Sequence, residues 1–229
     1  MSAGALGPVF LAYVALIGTV VAATLMRRLP RRAALTGLAG LLVWLAYAGA
    51  IGYSGLLSDP TVRPPGMAIL VAPILTCLVG WVGVGSFGGL LVRYVPLSVI
   101  LLLQSFRVGV EVVLHLLWQA GRLPHLMTLE GGNVEIIIAL TAPLLAWITM
   151  RGQHRSKLVW LWNVAGLLSL LNVVARAVLT APGPLNLIHA DVPNLAMGQF
   201  PFSFIPGFMV PLALILHVLA FRAMRTASS

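Results

Sequence analysis

Acidic residues are the scarcest chemistry in this chain: five, Asp59, Glu111, Glu130, Glu135 and Asp191, against fourteen lysines and arginines. Cysteine occurs once, as Cys77, so no internal disulfide can form and no CxxC or Cys/His metal spacing exists. Lysine also occurs once, as Lys157, between apolar runs, which excludes a retinal Schiff base inside a span. Asn-x-Ser/Thr glycosylation sites are missing. Charged residues make up only 8% of the chain where a soluble domain carries about 25%. With 60% hydrophobic residues and a mean hydropathy of +1.02, the chain reads as an integral membrane protein that lies in a lipid bilayer.

The net charge of +9 does not point to nucleic acid. The arginines form short collars between apolar runs, not a patch interleaved with aromatics, so no nucleic-acid partner is expected. The first apolar stretch, from about Pro8 to Met26, has its arginines after it, at Arg27, Arg28, Arg31 and Arg32. A cleavable signal peptide has the reverse polarity, so this stretch is expected to be a retained helix.

Apolar runs of about 17 to 26 residues then follow one another, each long enough to cross a bilayer. The expectation is an all-α bundle of seven transmembrane helices, one domain over 1–229, near 8–26, 33–56, 67–92, 95–118, 134–150, 158–180 and 203–222. Orientation follows the basic residues. With the amino terminus outside, the cytoplasmic side receives Arg27, Arg28, Arg31, Arg32, Arg93, Arg151, Arg155, Lys157, Arg222 and Arg225, with His154 solvated beside them. The outside receives Arg63 and Arg122. The carboxyl terminus is then cytoplasmic, and a bacterial inner membrane is the expected location. Seven spans with this polarity resemble the sugar-transporting SWEET family in architecture. A repeat would relate helices one to three with five to seven, and only Val71-Ala-Pro73-Ile-Leu against Val210-Pro211-Leu-Ala-Leu suggests it.

Arg107 and Glu111 lie inside the fourth apolar run. An ionisable group at mid-membrane costs roughly 2.5–3.5 kcal/mol, so such a residue faces a partner or a cavity and marks a candidate site. Gln104 and His115 extend the set. Spacings of three and four place all four on one helix face. A structural pair of Arg107 with Glu111 would need only two of them, whereas a cavity or ligand site uses the whole stripe. Arg176, with Asn172 on the same face of the sixth helix, has no acid nearby in sequence and needs Glu111, Glu135 or a bound anion. Polar residues gather in the outer half of this scheme. Glu130, Asn133 and Glu135 stand at the outer start of the fifth helix, where Gly131-Gly132 marks a turn and Asn133 a cap.

His115, His125, Glu130 and Glu135 could in principle approach a metal, but no fixed ligand signature is present and no metal site is expected; a cofactor is not specified. Gly83-Val-Gly85-Ser-Phe-Gly88 matches GxGxxG without the strand that a nucleotide site requires. It reads as close helix packing, extended by Gly80 and Gly89, through which the third helix could support an oligomer. Prolines 73, 143, 206 and 211 free backbone carbonyls within spans. His217 reads as an isolated packing or interface histidine near the inner end of the last helix. The proline-rich but apolar segment 181–202 reads as a lid over the polar cluster or as an interfacial belt.

Two functions follow. One is binding or transport of a small polar or anionic solute between the fourth, fifth and sixth helices, with Arg107 and Arg176 as anchors and Glu111 titratable. The other is a membrane-embedded enzyme with an outward-facing acid/base site, Glu111 or Glu130 working with His115 or His125. Transport needs polar groups on both sides of the bilayer, whereas catalysis needs them on one.

Overall fold

The computed structural model describes residues 3–59, 61–152, 157–182 and 186–226. His154 and Arg155 lie outside them, as do Pro184 and Leu185 of the expected lid. The described residues form helices and no strands. The helices are α1 (Ala3–Arg28), α2 (Arg31–Tyr53), α3 (Gly66–Cys77), α4 (Ser86–Tyr94), α5 (Leu97–Leu103), α6 (Arg107–Gln119), α7 (Glu135–Met150), α8 (Lys157–Thr180) and α9 (Val210–Thr226). Proline sets several of these boundaries. Pro30, Pro65 and Pro96 immediately precede α2, α3 and α5, each with ψ between 138 and 146°, because the ring fixes φ and the lost N–H costs nothing at a helix start.

Six helical segments are long and apolar enough to cross a membrane: Ala5–Arg28, Arg31–Tyr53, Gly66–Val84, Leu97–Gln119, Lys157–Thr180 and Ile205–Arg225. Glu135–Met150 is a shorter apolar helix. At 1.5 Å per residue it is about 24 Å long, against about 30 Å of hydrocarbon. Two segments form the centre. In Leu97–Gln119 61% of the most apolar window is buried and in Ile205–Arg225 67%, whereas the others bury a third or less. Phe10, Leu70, Ile100, Leu101, Leu117 and Phe208 fill the space between elements.

Two expected helices are not continuous. The run 67–92 winds through a wide π turn at Leu78–Val84 and breaks at Gly85, whose backbone is extended at φ −73° and ψ 175°. The break leaves carbonyls without helical partners. Arg222 of α9 supplies them: one guanidinium nitrogen donates to the carbonyls of Val82, Gly83 and Gly85 at 3.0, 2.6 and 3.2 Å. Gly88 makes room, since a Cβ there would lie 1.8 Å from the Val82 oxygen and 2.6 Å from Arg222. The glycine motif thus serves contacts within the chain, whereas a Cβ at Gly80 would meet nothing within 4 Å. The run 95–118 is likewise interrupted, by a 3-10 turn at Gln104–Phe106 that joins α5 to α6.

The connection 120–134 is not a surface loop. Leu123, Met127, Thr128 and Asn133 are buried, and α7 begins at Glu135, which is itself buried. Irregular backbone at such depth is tolerated only where protein surrounds it. The expectation of Glu135 on or near the outer face therefore fails, because the chain descends into the bundle before α7 starts. Described residues of the connection before α9 lie against this loop: the His125 N–H donates to Asp191 at 3.3 Å, and Arg122 bonds Gln199 and lies 5.2 Å from the Phe202 ring. Asn194 is buried and donates to the Ala177 carbonyl at 3.2 Å, so the described part of the segment packs on the bundle.

A candidate polar site at the centre of the bundle

Arg107 opens α6 at the middle of the Leu97–Gln119 segment and is 3% exposed. Its guanidinium forms an ion pair with Glu135, the first residue of α7. Its second terminal nitrogen lies 3.0 Å from His217 Nε2 on α9. A guanidinium only donates, so Nε2 accepts and carries no proton. The proton then sits on Nδ1, which lies 2.8 Å from Asn163 Oδ1 on α8. Asn163 Nδ2 completes the arrangement by donating to the His217 carbonyl at 3.0 Å. His217 is therefore held as one neutral tautomer between two partners. Four helices meet in this network, and Asn163 and His217 are fully buried. A Cβ on Gly166, one turn along α8 from Asn163, would lie 2.5 Å from the His217 ring, so glycine makes the slot for it.

A second group lies one turn further along α6. Glu111, 7% exposed, accepts from Asn133 Nδ2 at 2.8 Å. That amide also donates to the Met127 carbonyl at 3.0 Å, and Asn133 Oδ1 accepts the Glu135 N–H at 3.2 Å. The N-cap of α7 is Val134 and not Asn133 as expected; Asn133 stands one residue earlier, and its amide joins the two acids by accepting the Glu135 N–H and donating to Glu111. Gln104 is buried, with its amide nitrogen on the Ala213 carbonyl at 3.3 Å and Oε1 without a hydrogen-bond partner.

The other expected site residues separate from this centre. His115 is a third exposed at its side chain, 3.4 Å from Glu130 and 2.9 Å from Gln119. The stripe of Gln104, Arg107, Glu111 and His115 therefore starts in the core and ends at the rim. Glu130 is about half exposed at its side chain, and its own backbone N–H, with smaller help from Thr128 and His115, holds its carboxyl below the ordinary value. Asn172 is exposed and accepts from Arg176 at 3.3 Å. Arg176 pairs with neither Glu111 nor Glu135, two of its expected partners. It donates instead to the carbonyls of Leu126 and Gly131 at 2.8 and 2.7 Å, fixing the descending loop against α8. Gly132, at φ +93°, turns under that guanidinium. Among the described residues no three of His, Cys, Asp and Glu stand close enough to hold a metal ion.

His217 and Asn163 were outside the sequence-derived site. A histidine without a polar neighbour at helical spacing carries no signal in sequence, because its partners come from α6 and α8. The available hint was Asn163 three residues before Gly166, a polar group beside a slot on one face.

Six apolar helices of this length fit a multi-pass membrane protein, here one with an ion pair enclosed at mid-bundle. Residues 64–225, more than half of the chain, match the model of the family described as Domain of unknown function (DUF8737), and the protein belongs to that family. The match contains the whole polar network and leaves out α1 and α2. No curated protein and no solved structure matches the chain.

Proposed function

We propose that this is a seven-span membrane protein, amino terminus outside and carboxyl terminus cytoplasmic, that binds and carries a small polar solute past Glu111. The observation that carries this reading is the extent of the network. Polar groups run from His115 and Glu130 at one rim, through Glu111, Arg107 and Glu135, to His217 and Asn163 beyond mid-span. Transport needs polarity on both sides of the middle, and a one-sided catalytic site does not. Of the expected acid/base pairs, Glu130 meets His115 at 3.4 Å, but at the exposed rim, while Glu111 sits against buried Asn133.

Charge balance selects the solute. With His217 neutral by its bonding, the enclosed groups are one guanidinium and two carboxyls. Arg107 is occupied by Glu135, and Arg176 is drawn by one terminal nitrogen to the carbonyls of Leu126 and Gly131, so the enclosed guanidinium is not an open anchor for an anion. Glu111 is the carboxyl without a cation of its own, and it takes a proton or a cationic solute in exchange. The test is thermal unfolding of the purified protein with ammonium, methylammonium, potassium or choline chloride, against sodium acetate, nitrate and phosphate. Stabilisation by a cation, weaker at acid pH and lost in Glu111→Gln, is expected. Stabilisation by anions alone, or by a cation equally in Glu111→Gln, would refute the proposal.

The span count rests on whether short α7 crosses. Arg28, at the end of α1, and Leu187, in the connection before α9, are exposed positions five spans apart. Single cysteines at each, in a Cys77→Ala background, are expected to label from opposite sides of sealed vesicles, with Arg28→Cys reacting from the cytoplasmic face. Labelling from one side would mean that α7 does not cross and that six spans are correct.

A further inference from the structure

A cleft of about 470 Å³ lies away from the polar network, on the other faces of α5 and α9. That volume falls within the roughly 300–1,000 Å³ of ligand sites. Its walls come from α1, α2, α3 and the π turn that follows it, α4, α5 and α9, and include Leu25, Trp44, Cys77, Trp81, Leu91 and Leu219. Three polar tips on the wall are turned to the protein itself. Thr24 donates to the Val20 carbonyl at 2.8 Å, Trp44 Nε1 to the Gly207 carbonyl at 2.7 Å, and the Tyr47 hydroxyl to the Ile69 carbonyl. What remains is a hydrocarbon lining. Cys77 and Val43 are exposed at its edge, so the cleft opens sideways, where lipid chains would lie.

One end of the cleft is strongly basic. Leu25 precedes Arg27 and Arg28, which end α1; Gly37 follows Arg31 and Arg32, which begin α2; Leu91 precedes Arg93 in the last turn of α4. These five arginines are exposed. None of the five acidic residues of the chain lies in these segments. A hydrocarbon slot ending in a cluster of arginines matches a molecule with an acyl chain and an anionic head. We infer that the cleft between α2 and the broken third span holds an acyl chain of an anionic phospholipid, with its phosphate at Arg27, Arg28, Arg31, Arg32 and Arg93. The break at Gly85 makes the slot: the π turn carries Trp81 across to α2, where a Cβ on Gly40 would lie 2.8 Å from its ring, and Phe87 stacks on it at 4.4 Å.

Cys77, the single cysteine, reports on occupancy without any substitution. The measurement is its rate of modification by N-ethylmaleimide in dodecylmaltoside micelles supplemented with dioleoylphosphatidylglycerol or with dioleoylphosphatidylcholine. The anionic lipid is expected to slow the reaction at least about threefold, and the zwitterionic lipid to leave it nearly unchanged. Replacing Arg27, Arg28, Arg31 and Arg32 together by glutamine changes exposed positions only and should abolish the difference. A reference thiol, Leu168→Cys with Cys77→Ala, sits on exposed α8 and should respond equally to both lipids. Equal protection of Cys77 by both lipids, no protection by either, preference that survives the arginine changes, or an identical effect at the reference thiol would each overturn the inference.

Discussion

Arg107→Leu is expected to cost about 3–5 kcal/mol of stability, because it leaves the Glu135 carboxylate buried without its cation. His217 Nε2 loses its donor in the same change, adding a buried acceptor without a partner. Glu135→Leu should cost less. Glu111 stands four residues from Arg107 on the same helix and can take up part of the charge. The double variant Arg107→Leu/Glu135→Leu should be more stable than the sum of the single losses implies, because both orphan charges are gone. Unfolding of all four proteins in mixed micelles by a graded anionic detergent gives the cycle. Additive losses would mean that the two residues do not interact, and parental stability in Arg107→Leu would mean that no buried charge is compensated there.

The second large effect is predicted at a position without a side chain. Gly166→Ala places a methyl group 2.5 Å from His217 Cε1 and 2.9 Å from Nε2, and 3.1 Å from the Ile138 side chain. The ring has no room to retreat within the slot, so it must tilt off Arg107 or Asn163. A loss of about 1–3 kcal/mol is expected, the usual cost of overpacking. Cation-dependent stabilisation should weaken with it. Removing the ring relieves the clash, so Gly166→Ala should cost much less in a His217→Ala background. A loss of the same size in both backgrounds would place the cause in α8 itself and not in the histidine slot.

Apolar run lengths marked every element that became a helix, because hydrocarbon thickness leaves one strong period-free signal in sequence. They could not mark the break at Gly85. A glycine in a membrane helix usually signals packing, and the carbonyls freed here are recovered by Arg222, more than a hundred residues later. The candidate site was legible along the fourth apolar run, where three- and four-residue spacing gathers Gln104, Arg107 and Glu111. Its partners were not legible in the same way. Glu135 looked like a surface residue because the turn at Gly131-Gly132 follows a loop of mixed character, and the descent of that loop depends on Arg176 holding its carbonyls from α8. Thus Arg176 was recognised as needing a partner, but backbone acceptors have no letter in a sequence.

The position of α9 has a consequence for biosynthesis. It is the last of the described helices to leave the ribosome, yet its segment is the most enclosed. Until it arrives, Arg107 and Asn163 lack His217, Gln104 lacks the Ala213 carbonyl, and the broken third span lacks the arginine that closes it. The earlier helices therefore enter the lipid around an unfilled centre with its polar groups waiting. A nascent chain halted before Val210 would hold most of its spans but lack the helix that carries His217, the Ala213 carbonyl and Arg222 to them, so the polar contacts of the centre close only when α9 joins.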